Sequence, residues 1–221
     1  MAATSMAKDV SSIAARGAIV AAVAAVLALA VLHLVRTDLQ PSRHMISDYA
    51  IGPNGWIMSV CFAAFAVASL ALLISLFGAV QSPLGWAGLA ALAAAFIGLS
   101  LGGAFPTDPM TVTPETMSFS GRMHGMGFMI GVPGTILSVL LLSISLRRRQ
   151  GWNASLLFTL AAIVWVSLAV MAWSVLNFMK APDGPTILGW ANRLFMVGFA
   201  LWIVAAAWPP AREGLYLSRR R

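Results

Sequence analysis

His33, His44 and His124 are the three histidines of the chain; His33 and His124 stand near the ends of long apolar runs, and His44 lies in the polar connection between the first two runs. His44 is followed by Ser47 and Asp48, and Asp108 precedes His124 in a second polar stretch. Asn192 and Arg193 form a third polar spot, and Arg193 is the one formal charge inside an apolar run. These residue types allow several chemistries. His124 can serve as a base or ligand, with Asp48 as its orienter and Arg193 as an anion clamp. Ser47 beside His44 or His124 has the makings of an activated nucleophile, which sets His124, Asp48 and Ser47 out as catalytic candidates. His44 and His124 with Asp108 or Asp48 are acceptable zinc ligands, although they lack the short fixed spacing of dedicated zinc motifs. Beside these stands a plainer role, in which Ser47 and Asp48 cap a helix entry and anchor a loop. No HExxH, Walker A or GxSxG string occurs, and the chain predicts no cofactor beyond the zinc option.

The elements that must position these residues are membrane helices. Of 221 residues, 60% are hydrophobic and 10% charged, far from the quarter charged residues of an average soluble domain. Mean hydropathy is +0.87. Apolar runs cover Gly17–Val35, Trp56–Val80, Leu84–Phe105, Met123–Leu146, Leu156–Phe178 and Ile187–Trp208, the last expected to stop at Pro209 and Pro210. Each is near the roughly 20 residues a span requires, and none alternates like a barrel strand. The fold expected is an all-α, six-helix transmembrane bundle over residues 17–208, with tails 1–16 and 209–221. Cleavage of the first run as a signal peptide is a weaker alternative, because the run is long for one.

Cations set the expected orientation. With the N-terminus inside, the inner segments hold Lys8, Arg16, Arg147, Arg148, Arg149, Arg212 and Arg219–Arg221, and the outer ones hold Arg36, Arg43, Arg122, Lys180 and Arg193. That bias predicts N-in and C-in, in an inner (plasma) membrane. It also accounts for the excess of 14 Lys+Arg over 7 Asp+Glu without nucleic acid as a partner. The outer connections are then long and polar. They are expected to fold over a cluster of His44, Ser47, Asp48, Asp108, His124, Asn192 and Arg193, with Asp48 or Asp108 paired to Arg193, since a guanidinium at membrane depth must be paired or wetted. Trp165, Trp173 and Trp202 are placed in the interior.

Helices two, four and six open alike, with Gly55-Trp56-Ile57-Met58, Gly121-Arg122-Met123-His124 and Gly189-Trp190-Ala191-Asn192, each leading to a phenylalanine, Phe62, Phe128 or Phe195. This suggests three related hairpins, with His124 and Asn192 at equivalent depth. Gly98/Gly102 and Gly127/Gly131 form two GxxxG pairs suited to close helix contact.

The string His44-Met45-Ile46-Ser47-Asp48-Tyr49-Ala50-Ile51-Gly52-Pro53, with Gly55-Trp56-Ile57-Met58 after it, resembles the signature of domain-of-unknown-function family 998. Phe105-Pro106-Thr107-Asp108-Pro109 with Gly121-Arg122-Met123-His124, and Gly189-Trp190-Ala191-Asn192-Arg193, resemble two further signatures of that family. The resemblance implies a prokaryotic six-helix membrane protein and no particular activity. The functions that follow are a structural or ligand-binding protein whose partners are membrane lipids or a small apolar ligand, a membrane-embedded hydrolase or transferase acting on a lipid at the outer leaflet, or a small transporter. The absence of an ionisable group near mid-span counts against the last.

Overall fold

The computed structural model describes residues 2–109, 112–181 and 184–218. Six α-helices follow one another: α1 Ala2–Val35, α2 Trp56–Leu76, α3 Pro83–Ala104, α4 Phe119–Leu146, α5 Ala154–Lys180 and α6 Leu188–Ser218. All six are long and apolar enough to cross a membrane, and no strand occurs among the described residues. Exposed Trp173, Leu194, Met129 and Leu176 cover the outside, an arrangement suited to hydrocarbon and costly in water.

Each helix packs on its chain neighbours, and α6 closes back onto α1. The α3–α4 contact is the most extensive and the α4–α5 contact the thinnest of the neighbouring pairs. Glycine explains the first. A Cβ on Gly98 would fall on the Cα of Gly131 and the carbonyl of Gly127, so the two GxxxG pairs meet face to face with backbone against backbone. On α1, Ala15, Ala18, Ala22, Ala25, Leu29 and Leu32 make a buried stripe of mostly small residues, alternating steps of three and four, that seats the helix in the bundle. Serine and asparagine begin three helices: Ser82, Ser118 and Asn153 accept from the backbone N–H of Gly85, Gly121 and Leu156.

Two expectations change. Helix α6 continues through Pro209 and Pro210. A proline at 210 leaves the carbonyl of Ala206 without its helical donor, and the indole N–H of Trp152 donates to that carbonyl at 2.9 Å. The tertiary contact replaces the lost helical bond. Of the three tryptophans placed inside, only Trp202 is buried; Trp165 and Trp173 face outward, 38% and 61% exposed. Arg219–Arg221 and Asp183 lie outside the described residues.

Candidate functional site

Arg193 lies five residues into α6, roughly 8 Å along its axis, and is buried. Its Nε donates to Nε2 of His33 at 2.6 Å, one terminal nitrogen donates to the carbonyls of His44 (2.8 Å) and Gly189 (2.9 Å), and the other donates to the Tyr49 hydroxyl at 3.0 Å. The guanidinium also lies 5.3 Å from the Tyr49 ring centroid and 5.8 Å from that of Trp190. Arginine only donates, so His33 Nε2 must accept. Its Nδ1 then carries the proton and donates to the Leu29 carbonyl at 2.7 Å. A neutral imidazole on α1, a phenol and a loop carbonyl thus close the end of the bundle that carries the α1–α2 loop around one cation.

The expected ion pair of Arg193 with Asp48 or Asp108 is therefore corrected. The ion pair that forms among the described residues is Arg36–Asp38, at 2.9 Å. Neutral acceptors satisfy Arg193 without the desolvation of a second charge. Asp48 instead turns back on its own loop. It sits in a short 3₁₀ turn, Ile46–Ala50, and accepts the N–H of Met45 at 2.9 Å. Asn192 holds the same turn from α6, with its side-chain oxygen on the N–H of Ile46 at 2.9 Å and its amide nitrogen 3.5 Å from Met171 Sδ. His44 gives the site its carbonyl; its ring packs on the backbone of Gln40.

The sequence marks Arg36 only as an expected outer cation, whereas in the structure it organises this loop. It is 5% exposed, grips Asp38 with two nitrogens, and donates to the carbonyls of Tyr49, Ile51 and Pro53. The guanidinium holds the Asp38 carboxyl below the usual carboxylate range. No sequence signal marks three converging carbonyls.

Burial pushes the Asp48 carboxyl up, against the pull of His44, Met45 N–H, Arg193 and His124. The sign follows directly. The folded state binds the Asp48 proton more tightly than the unfolded chain, so this group's contribution to stability falls as pH rises through the carboxylate range. Asp48→Asn keeps an oxygen for Met45 and removes the buried charge. At neutral pH the variant is expected to melt at or above the wild type, and the difference is expected to shrink on acidification. Melting curves of both proteins across pH check this; a variant that melts well below wild type at neutral pH would refute it.

Asp108 stands apart from Arg193. It accepts the backbone N–H and the hydroxyl of Ser118 at 2.7 and 2.8 Å and so secures the start of α4. No group of three or more His, Cys, Asp or Glu side chains comes together among the described residues. The zinc set of His44, His124 and Asp108 or Asp48 is not assembled, because His44 and Asp108 are each committed to their own loop.

His124 and Ser47 do meet a common space. A cleft of about 70 Å³ lies beneath the α1–α2 loop, with Ser47, His124, Thr135 and Asn192 as polar groups in walls of Phe, Met, Leu and Gly. It reaches the flank of α4, where Phe128 both lines it and is 42% exposed. His124 donates from Nδ1 to the Phe105 carbonyl at 2.8 Å, given the tautomer this acceptor requires, and packs edge-on against Phe62 at 5.8 Å. Nε2 is then an acceptor with no hydrogen-bond partner among the described residues. The three helix openings converge here. Phe62, Phe128 and Phe195 all line the cleft, as do His124 and Asn192, which hold equivalent places in the repeat. The opening glycines share a setting too. A Cβ on Gly55 would meet the carbonyl of Ala50, one on Gly121 the carboxylate of Asp108, and one on Gly189 the carbonyls of Pro41 and His44.

No curated protein and no solved structure matches the chain. The family described as "Protein of unknown function (DUF998)" matches residues 19–209, a stretch that contains all three signature strings, the Arg193 hub and the cleft. The chain is a member of the DUF998 family.

Proposed function

We propose that this multi-pass protein resides in a bacterial inner membrane, with both termini inside, and takes the small polar end of a lipid-like or apolar ligand into the cleft at its outer end. The observation that carries the proposal is the cleft's lining. Ser47, His124 and Asn192 present hydrogen-bonding groups within apolar walls, at the place where three similar helix openings converge. Its size selects the ligand. A cavity of about 150 Å³ holds one benzene, so about 70 Å³ accommodates a polar tip and little more. The rest of the chain would leave past Phe128, beside the thin α4–α5 contact, into the bilayer.

One observation favours turnover as a second reading. Anchoring of His124 Nδ1 on Phe105 leaves Nε2 as a base on a ring that shares the cleft with Ser47.

Thermal melting of purified protein with 1-monodecanoylglycerol, and separately with decane, tests both. The glyceride is expected to raise the melting temperature and decane to leave it unchanged. His124→Phe, which keeps the ring contact with Phe62, is expected to remove the glyceride's effect. Equal shifts with decane, or an undiminished shift in the variant, would overturn ligand binding. Release of decanoate that depends on both His124 and Ser47 would establish turnover. A reporter fused after Arg148 and found outside the cell would overturn the orientation.

A further inference from the structure

At the end of the bundle that carries both termini lies a second cavity, of about 450 Å³, lined by residues from four separate stretches of chain. Lys8 and Ser11 come from α1, Ser75 from the last turn of α2, Arg149 and Trp152 from the α4–α5 connection, and Glu213 from α6. We propose that this cavity binds the phosphate of a phospholipid headgroup. The inference does not depend on the outer cleft.

Three observations carry it. Lys8 and Arg149 place two cations on the rim. Arg149 spends one nitrogen on Gln81 Oε1, at 2.7 Å, and retains donors for a second acceptor. Ser75 supplies the second observation. It is 2% exposed, lines the cavity, and its hydroxyl has no hydrogen-bond partner among the described residues. Buried hydroxyls are nearly always satisfied, so a donor left open on a residue of a lining that also holds two cations points to an acceptor-rich ligand. The neighbouring Ser11 hydroxyl is already committed, to the Ser75 carbonyl at 2.8 Å. The third observation is the depth. Ser75 lies one residue from the end of α2, and the Trp152 indole, its N–H taken by Ala206, presents a ring at the level where tryptophans meet headgroups.

Glu213 narrows the choice. Two cations and one carboxylate leave a single positive charge on the lining, which matches the one negative charge of a phosphodiester better than a phosphate dianion. Basic pockets between membrane helices are general sites for anionic headgroups. Inorganic phosphate would engage the same groups, and the test separates the two sources.

Full-length protein in a mild detergent is offered equimolar dioleoylphosphatidylglycerol and dioleoylglycerol, and retained lipid is weighed by native mass spectrometry. The phosphate-bearing lipid is expected to be retained about tenfold or more over the neutral one. The Lys8→Gln/Arg149→Gln double variant is expected to lose that preference. Arg147→Gln/Arg148→Gln removes the same charge outside the cavity and is expected to keep it. Ser75→Ala breaks no hydrogen bond among the described residues, so it is expected to melt like wild type while retaining severalfold less lipid. Equal losses in the two double variants, or equal retention of both lipids, would overturn the site. Stabilisation by millimolar inorganic phosphate with no lipid retained would overturn the lipid assignment in favour of a soluble ligand.

Discussion

Arg193→Met is expected to cost the fold about 3 kcal/mol or more, seen as a large drop in melting temperature of the detergent-solubilised protein. The arithmetic rests on what the guanidinium leaves behind. His33 Nε2, the Tyr49 hydroxyl and the His44 carbonyl each lose their donor, and each stranded buried acceptor costs about 1 kcal/mol at the low end. Methionine fills much of the stem's volume, so the loss measures the hydrogen bonds rather than a cavity. Arg193→Lys restores charge but not shape. A single ammonium cannot reach an imidazole, a phenol and a carbonyl on three sides, so it is expected to recover less than half of the loss. Protease cleavage within residues 36–55 reads the same event locally, because Arg193 ties that loop to α6 through Tyr49 and His44. A methionine variant that melts like wild type, with the loop equally resistant, would show that Arg193 is held by headgroups or water instead.

The second large effect sits between α3 and α4. Gly98→Ala adds one methyl group where the Cα of Gly131 and the carbonyl of Gly127 already stand. Backbone cannot rotate away as a side chain can, so the helices must separate along their most extensive contact. Overpacking of cores costs about 1–3 kcal/mol, and this case is expected at or above the top of that range. Gly125→Ala provides the internal control. Nothing lies within 4 Å of a Cβ there, and alanine favours helix over glycine by roughly 0.5–1 kcal/mol. One chemical change, twenty-seven residues apart on two helices in contact, is thus expected to move the melting temperature in opposite directions. If both variants melt alike, the close crossing is not what holds α3 against α4.

The six spans were legible because hydrocarbon imposes one rule on every residue of a run, and that rule can be read locally. Arg193 was legible for the same reason, as the one charge that broke it. Its partners were not. His33 lies 160 residues away, and nothing in its run distinguishes an imidazole that accepts from arginine from one that merely borders the membrane. Tyr49 stands in the first signature string with nothing beside it to mark its hydroxyl as an acceptor, and the His44 carbonyl has no letter of its own. Reasoning from opposite charges led to Asp48 and Asp108, whereas the fold uses neutral acceptors and sets those carboxylates on backbone N–H groups. Pro209 and Pro210 misled in the same way. The local rule for proline holds for an isolated helix; at Pro210 the indole of Trp152, 54 residues before Ala206, supplies the donor that the ring removes. The repeated openings, by contrast, needed no partner to be seen, and their phenylalanines and the His124/Asn192 pair do share one cleft.

The Arg193 hub joins the first helix and the loop after it to the last helix. A ribosome delivers these pieces in that order, so imidazole, phenol and loop carbonyl have all been synthesised before the guanidinium emerges. The costliest side chain to hand over to the bilayer arrives last, when a receptor for it can already be standing. Insertion of α6 would then act as the closing step of biogenesis, and chains stalled before residue 193 would present an unsealed bundle end to quality-control proteases.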